Sequence, residues 1–277
     1  MSRKRRTAAD EPFLVVRTST ADLRDGGAIA AHAHDWHQLV YVGSGLMTVR
    51  TTAGTWVAPP SWAVWVPAGT SHAIRFVGSS ALRTCYLRPG WRDDLPQACG
   101  ALAVSPLLRE LILRTASVGM LDQRIPTEAA IAALIVSELG EAGPPPFVLP
   151  EPTTAVAVHA ARLITDDAPA AAGTAVLARA VGVGTRTLER HFQAETGLTV
   201  GRWRQQRMLL RGLEQVAAGA PIGAAAVAAG YGSPSAFIAA FRKAFGATPG
   251  RFFSTSPHRT IHNRGHELDG SRTRDRP

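Results

Sequence analysis

Cysteine is nearly missing from this chain of 277 residues, with two copies in all. Cys85 and Cys99 lie too far apart for a Cys-x-x-Cys redox pair or a zinc-binding pair, so both are read as reduced thiols filling apolar space. Long apolar runs are missing too. Arg, Glu, Gly or Pro interrupts each of them before the ~20 residues that a membrane-spanning helix requires. The opening Met1-Ser-Arg-Lys-Arg-Arg6 carries no apolar core of the kind a secretory signal needs. Membrane and secreted classes are thereby excluded, and a cytoplasmic location is expected. Charged residues are few, 18% against 45% hydrophobic, which excludes extended disorder over most of the length. A folded chain this long suits two domains, each able to bury its own core.

Acid is in shorter supply than base, 21 Asp and Glu against 30 Lys and Arg, for a net charge of +9. The surplus is uneven along the chain. Residues 153 to 254 hold 11 basic and 5 acidic side chains, whereas residues 97 to 152 hold 3 basic and 6 acidic. A positive field concentrated in the C-terminal part suits a polyanionic partner.

The ends, to about Glu11 and from about Thr255, are polar and aperiodic, and are expected to be mobile. From Phe13 to Trp91, short β-rich runs such as Leu39-Val-Tyr-Val42, Met47-Thr-Val-Arg50 and Ala63-Val-Trp-Val66 alternate with Gly- and Pro-containing turns. This predicts an antiparallel barrel or sandwich. Leu107, Leu108, Leu111 and Ile112, then Ile131, Leu134, Ile135 and Leu139, recur at helical spacing and predict two amphipathic helices. Gly143-Pro-Pro-Pro-Phe-Val-Leu-Pro150 cannot continue a helix, so a semi-rigid connector and the domain boundary are placed there.

Two similar helix-turn-helix patterns follow. In the first, a short apolar helix from Thr174 runs into Gly182 and a second helix starts at Thr185, a plausible N-cap. Leu188 and Phe192 face the core there, while Arg186, Glu189, Arg190 and Gln193 form a different stripe, free to enter a groove. In the second, Ser233 is the expected N-cap with Pro234 at the first helical position. Phe237 and Phe241 point inward, and Ser235, Ile238, Ala239 and Arg242 lie toward the other side. Between the patterns, Thr199 to Ala218 reads as one helix carrying Arg202, Arg204, Arg207 and Arg211. Such a helix is roughly 30 Å long. Successive major grooves on one face of DNA lie roughly 34 Å apart, so one chain can place both second helices at once.

The segment Leu177 to Phe253 resembles the DNA-binding domain of the AraC/XylS-type bacterial regulators. The residues that carry the likeness are Leu188-Glu-Arg-His-Phe192, Gly197, Gly230-Tyr231, Ser233, Ser235-Ala-Phe237, Phe241-Arg-Lys-Ala-Phe-Gly246 and Thr248-Pro249. The resemblance implies a transcription factor whose paired reading helices, near 185–193 and 234–243, enter adjacent major grooves of double-stranded DNA. It implies Arg186, Glu189 and Arg190 as base readers, Ser235 as a weaker one and Arg242 as a phosphate contact. Many relatives carry a basic residue where this chain has Ala239. The second helix therefore reads shape, methyl groups or phosphate more than base edges.

His32-Ala-His-Asp-Trp-His-Gln38 with Gly45, and Pro67-Ala-Gly-Thr-Ser-His72, resemble the two motifs of the cupin barrel. The resemblance implies His32, His34, Gln38 and His72 as ligands of a divalent transition metal, with His37 pointing out of the set. Gln38 stands where glutamate is usual, which removes a negative charge. The alternative is that these imidazoles line a pocket or hydrogen-bond within it. Trp36, Trp56, Trp62 and Trp65 either line an apolar effector pocket or fill the barrel core.

The combined expectation is an α+β, two-domain chain with a cupin-like sensor barrel over 12–96, a helical linker or dimerisation segment over 97–143 and a Pro-rich linker over 144–152. An all-α domain with two helix-turn-helix units spans 153–254. Its function is transcription regulation under a small-molecule effector or metal. DNA and RNA polymerase are the partners, with pairing of two chains and a place at the nucleoid. A metal-dependent cupin enzyme competes with this reading but lacks an evident general acid or base. An architectural DNA binder without an effector is the third class.

Overall fold

The computed structural model describes residues 12–24, 26–140, 147–166 and 173–254. The basic arm, the tail and the three consecutive prolines of the connector lie outside the described residues. Eight strands come first: β1 (Leu14–Leu23), β2 (Gly27–His32), β3 (His37–Val42), β4 (Leu46–Thr51), β5 (Thr55–Ala58), β6 (Trp62–Val66), β7 (His72–Val77) and β8 (Ser80–Leu87). Then follow β9 (Gly100–Ala103), α1 (Pro106–Val118), β10 (Met120–Asp122), α2 (Pro126–Gly140) and β11 (Val148–Leu149). The strands form two antiparallel sheets, ordered β10-β1-β8-β3-β6-β9 and β11-β5-β4-β7-β2.

Period-two alternation sorts each strand between two cores. Val40 and Val42 of β3 point between the sheets, where Met47, Val49, Trp56, Val64 and Ile74 fill the interior. Leu39 and Tyr41 point the other way and pack with Trp65, Leu108, Ile112 and Ile135, so α1 and α2 roof the first sheet. Burying each large aliphatic side chain contributes about 1.5–3 kcal/mol, which ties the helices to the barrel as one body. The segment expected as helical linker is therefore part of the barrel domain. It also contains two strands, β9 on β6 and β10 on β1, too short to show alternation in sequence. Leu107 and Leu134, counted in the helical spacing, are 48% and 45% exposed.

The C-terminal domain consists of α3 (Ala155–Asp166), α4 (Thr174–Ala180), α5 (Thr185–Thr196), α6 (Val200–Ala217), α7 (Ile222–Ala228), α8 (Pro234–Phe245) and α9 (Pro249–Ser254). The long helix α6 starts where the sequence places it, with the Thr199 side chain accepting from Arg202 N. Its 18 residues span about 27 Å at 1.5 Å per residue. Leu209, Leu210 and Leu213 share one core with Leu188 and Phe192 of α5 and with Phe237 and Phe241 of α8, so α6 holds both units. The two units turn at Gly182 (φ 74°) and Gly230 (φ 72°), the left-handed region that a side chain would strain.

The expected connector is a pin rather than a tether. Val148 pairs with Trp56 and Leu149 with Thr55, adding an edge strand to the second sheet. Phe147 lies 4.8 Å from Phe245, and Trp203 Nε1 donates to Pro150 O at 2.7 Å. The outer face of the second sheet then docks on the helices, with Leu46 and Val57 entering the helical core. Arg75 of β7 lies 3.9 Å from Glu214 of α6, and Arg50 of β4 lies 3.4 Å from Glu151.

Candidate functional site

Helices α5 and α8 present matching faces. Arg186, Arg190 and Gln193 hold the second, sixth and ninth positions of α5, and Ser235, Ala239 and Arg242 hold the same positions of α8. All six are exposed, while Ile238 is half-buried. Ser233 caps α8 as expected, accepting from Ala236 N at 3.3 Å. Thr185 does not cap α5: Gly184 is the N-cap, and Thr185 is the exposed first residue of the helix. A Thr directly after Gly184 looks like a cap in sequence, but the N-cap lies one residue earlier.

Glu189 also departs from expectation. Its Oε2 accepts from Val200 N at 3.0 Å, so the carboxylate satisfies an orphan donor in the first turn of α6. The carboxylate thereby joins two helices. Gln193 stays exposed, although its Nε2 donates to Gly197 O at 3.1 Å. Sequence reasoning missed Glu195. It accepts from Thr153 N (2.6 Å) and Thr154 N (2.9 Å) and from both threonine hydroxyls, anchoring α5 to the chain entering α3. Burial pushes this carboxyl upward, but the four donations outweigh it and hold the group at about 2.

In the barrel, His32 at the end of β2 and His72 at the start of β7 pair across the ladder, and His34 closes over them. Ring centroids are 4.4 Å apart for His32 and His72, 5.1 Å for His34 and His72, and 5.8 Å for His32 and His34. One ring nitrogen from each lies within 4.8 Å of the others. Each Nδ1 faces a backbone carbonyl: Ala30 O at 2.9 Å, Trp36 O at 2.6 Å and Thr70 O at 2.8 Å. A nitrogen facing a carbonyl carries the proton, so the neutral His32 and His72 rings keep their Nε2 lone pairs for the cluster, whereas His34 also turns its Nε2 to the Gln38 amide oxygen. His72 Nε2 is buried with no hydrogen-bond partner among the described residues. Burial holds the His72 imidazole below its usual value against the pull of Thr70 O, and the two facing histidines lower it further.

Gln38, 2% exposed, places its amide 3.0 Å from His34 Nε2 and 3.2 Å from the Tyr86 hydroxyl. Tyr86 was not legible in sequence, because it reaches the cluster only through the β3–β8 pairing that sets it opposite Gln38. Three imidazoles and an amide make a neutral donor set, which suits zinc and its neighbours better than magnesium or calcium. The residues present fit such an ion. His37 lies outside the set as expected, stacked 5.3 Å from the Trp65 ring and accepting from Ala68 N at 3.1 Å.

Two family models match the chain, a helix-turn-helix domain over residues 177–255 and an AraC-like ligand binding domain over residues 16–144. The chain belongs to the AraC-type transcriptional regulators. It is 28% identical over 223 residues to the HTH-type transcriptional regulator NimR of Escherichia coli (strain K12), across 80% of this chain and 81% of that protein. Similar solved structures include ToxT from Vibrio cholerae, 9% identical over 88% of this chain and 98% of that one, with a TM-score of 0.38. An AraC-type DNA-binding domain protein from Chromobacterium violaceum is 23% identical over 38% of this chain and 94% of its own, with a TM-score of 0.35.

The regulator's tryptophans are spread over three places. Trp56 and Trp65 are 5% and 1% exposed, the first between the sheets and the second under α1 and α2, with its Nε1 donating to Pro96 O at 2.8 Å. Trp36 is half-buried, with the guanidinium carbons of Arg17 and Arg88 at 4.4 and 5.3 Å from its ring. None of the three lines the larger described cavity, which has a volume of about 1090 Å³ and lies between the second sheet and helices α3 and α6. Both thiols are inert fillers: burial raises Cys85 to about 12 and Cys99 to about 11. Among the described residues, no helix is long and apolar enough to cross a membrane.

Proposed function

We propose that this AraC-type regulator reads a specific operator with Arg186 and Arg190 of α5 in one major groove, while α8 occupies the next. The observation that carries the reading is the pair of matched exposed faces on helices that share one core with α6. Arg186 and Arg190 supply guanidinium forks of the kind that bind guanine edges, each worth about 1–3 kcal/mol of base discrimination. Thr185 and Gln193 sit on the exposed rim of α5, and Ser233 does the same for α8. Ser235, Ile238 and Ala239 read methyl groups and groove shape, and Arg242 holds phosphate. Genome-wide mapping of bound sites tests this: Arg186→Ala and Arg190→Ala are each expected to lose specific occupancy, and unchanged occupancy in both would sink the assignment.

The reading includes a divalent transition metal held by His32, His34, His72 and the Gln38 amide, in a structural or sensory role with no catalytic step. Metal analysis of the purified chain tests it, with one zinc-class ion per chain expected and lost in His72→Ala. Exposed Leu107 and Leu134 on the roof of the barrel favour pairing of two chains through α1 and α2, and contact with RNA polymerase would follow at the promoter. Such a protein works in the cytoplasm, at the nucleoid.

A further inference from the structure

Between the second sheet and the helical domain lies the cavity of about 1090 Å³, within the size range of small-molecule sites. Trp203, Arg207, Leu210 and Glu214 of α6 form one of its walls. Their spacing of four, three and four residues puts them on a single helix face. The other side of α6 packs on both helix-turn-helix units, where Gly212 abuts the Phe237 ring. The opposite wall is the outer surface of β2, β4 and β7, including Thr48 and Arg75.

Arg207 stands out in this cavity. Its Nε reaches Thr165 Oγ1 only at 3.4 Å, and its buried Nη1 has no hydrogen-bond partner among the described residues. The nearby carboxylates are engaged elsewhere. Glu151 accepts from Thr55 Oγ1 at 2.7 Å and pairs with Arg50, and Glu214 pairs with Arg75. A desolvated guanidinium donor without an acceptor is costly, and an anionic oxygen is the partner that relieves it. Among the described lining residues four arginines stand against three carboxylates, one positive charge in excess. A doubly charged phosphate would face the carboxylates unfavourably, whereas a monoanion balances the site. Val158, Leu210 and the Trp203 ring offer apolar contact for the remainder of the ligand.

We propose that this interdomain cavity is an effector site for a small organic monocarboxylate, with Arg207 as its anion-binding residue. The ligand touches the barrel and α6 together, so its occupancy biases how the barrel sits on the helix that carries both reading units. That consequence rests on the regulator reading; the binding itself does not. Strands β2 and β7, which wall the cavity, also end and begin at His32 and His72, placing the histidine cluster at its margin.

The test uses the full chain and a panel of monocarboxylates, straight-chain from acetate to decanoate together with benzoate, each beside its neutral amide, and inorganic phosphate. Thermal melting and calorimetric titration are the readouts. At least one carboxylate is expected to raise the melting temperature while its amide and phosphate do not. Arg207→Gln is expected to weaken that carboxylate at least roughly tenfold, the loss of one charge-assisted hydrogen bond. Should that variant fail to fold, Val158→Phe, which fills the cavity from the α3 side, is expected to abolish the effect. No stabilisation by any carboxylate, or equal stabilisation in the Arg207 and Val158 variants, would overturn the proposal. Operator affinity of the ligand-free wild type, measured in parallel, judges the regulator reading separately.

Discussion

Glu189 and Glu195 both lie in α5, the first reading helix, and both are committed to neighbouring backbone. Removing the Glu189 carboxylate strips the cap from Val200 N, so Glu189→Ala is expected to lower stability by about 0.5–2 kcal/mol in a urea titration. Base preference should stay as it was. An unchanged midpoint with an altered preference would restore Glu189 to the base readers. Glu195 yields a pH prediction with a definite sign. Its folded-state pKa of about 2 lies below the usual 4.5, so the folded chain holds the ionised form more tightly than the unfolded chain does. The resulting stability is present above about 4.5 and is lost as pH falls toward about 2. Glu195→Gln should remove that part of the acid dependence, leaving a flatter stability curve over this window; the same slope in both proteins would contradict the assignment.

At the scale of elements, α6 has three duties on three faces: the core of the first unit, the core of the second, and a wall of the interdomain cavity. Gly212 is where the second duty leaves no room. A Cβ there would come 2.6 Å from a Phe237 ring carbon and 2.9 Å from Ala229 Cβ. Gly212→Ala is therefore expected to cost about 1–3 kcal/mol through overpacking and to loosen α8 in particular. Footprinting should show protection shrinking to the half-site read by α5. A footprint that keeps its full length would mean that the second unit tolerates the shift.

For the whole molecule, the seating of the barrel on the helices depends on contacts of unequal weight. The Arg75–Glu214 and Arg50–Glu151 pairs have arginine side chains 61% and 66% exposed, so each contributes less than about 1 kcal/mol. The closer fit is at Gly78, where φ is 72° and a Cβ would lie 2.5 Å from Ala217 O at the end of α6. Gly78→Ala meets both the left-handed backbone penalty and a backbone oxygen that cannot rotate away. The expected result is faster hydrogen exchange at the β7–β8 turn and the last turn of α6, with the reading helices as protected as before. Unchanged exchange at both places would show that the two domains do not depend on this contact for their fit.

Much of the helical domain was legible locally. The Ser233 cap and the apolar spacing of Leu188 with Phe192 and of Phe237 with Phe241 all act within four residues, so sequence by itself determined α5, α6 and α8 to within a few positions, the Thr185 cap excepted. The paired motifs likewise brought out His32, His34 and His72, because strand alternation and antiparallel pairing carry a short-range pattern across the barrel. Tertiary structure alone decided what depends on distant partners. Tyr86 reaches Gln38 across 48 positions, Glu195 reaches Thr154 across 41, and β11 finds β5 far back in the chain. The orphaned guanidinium of Arg207 belongs to the same class. In sequence it is one arginine among four on a long helix; only the docking of the second sheet against that helix withdraws it from water and leaves a donor without an acceptor.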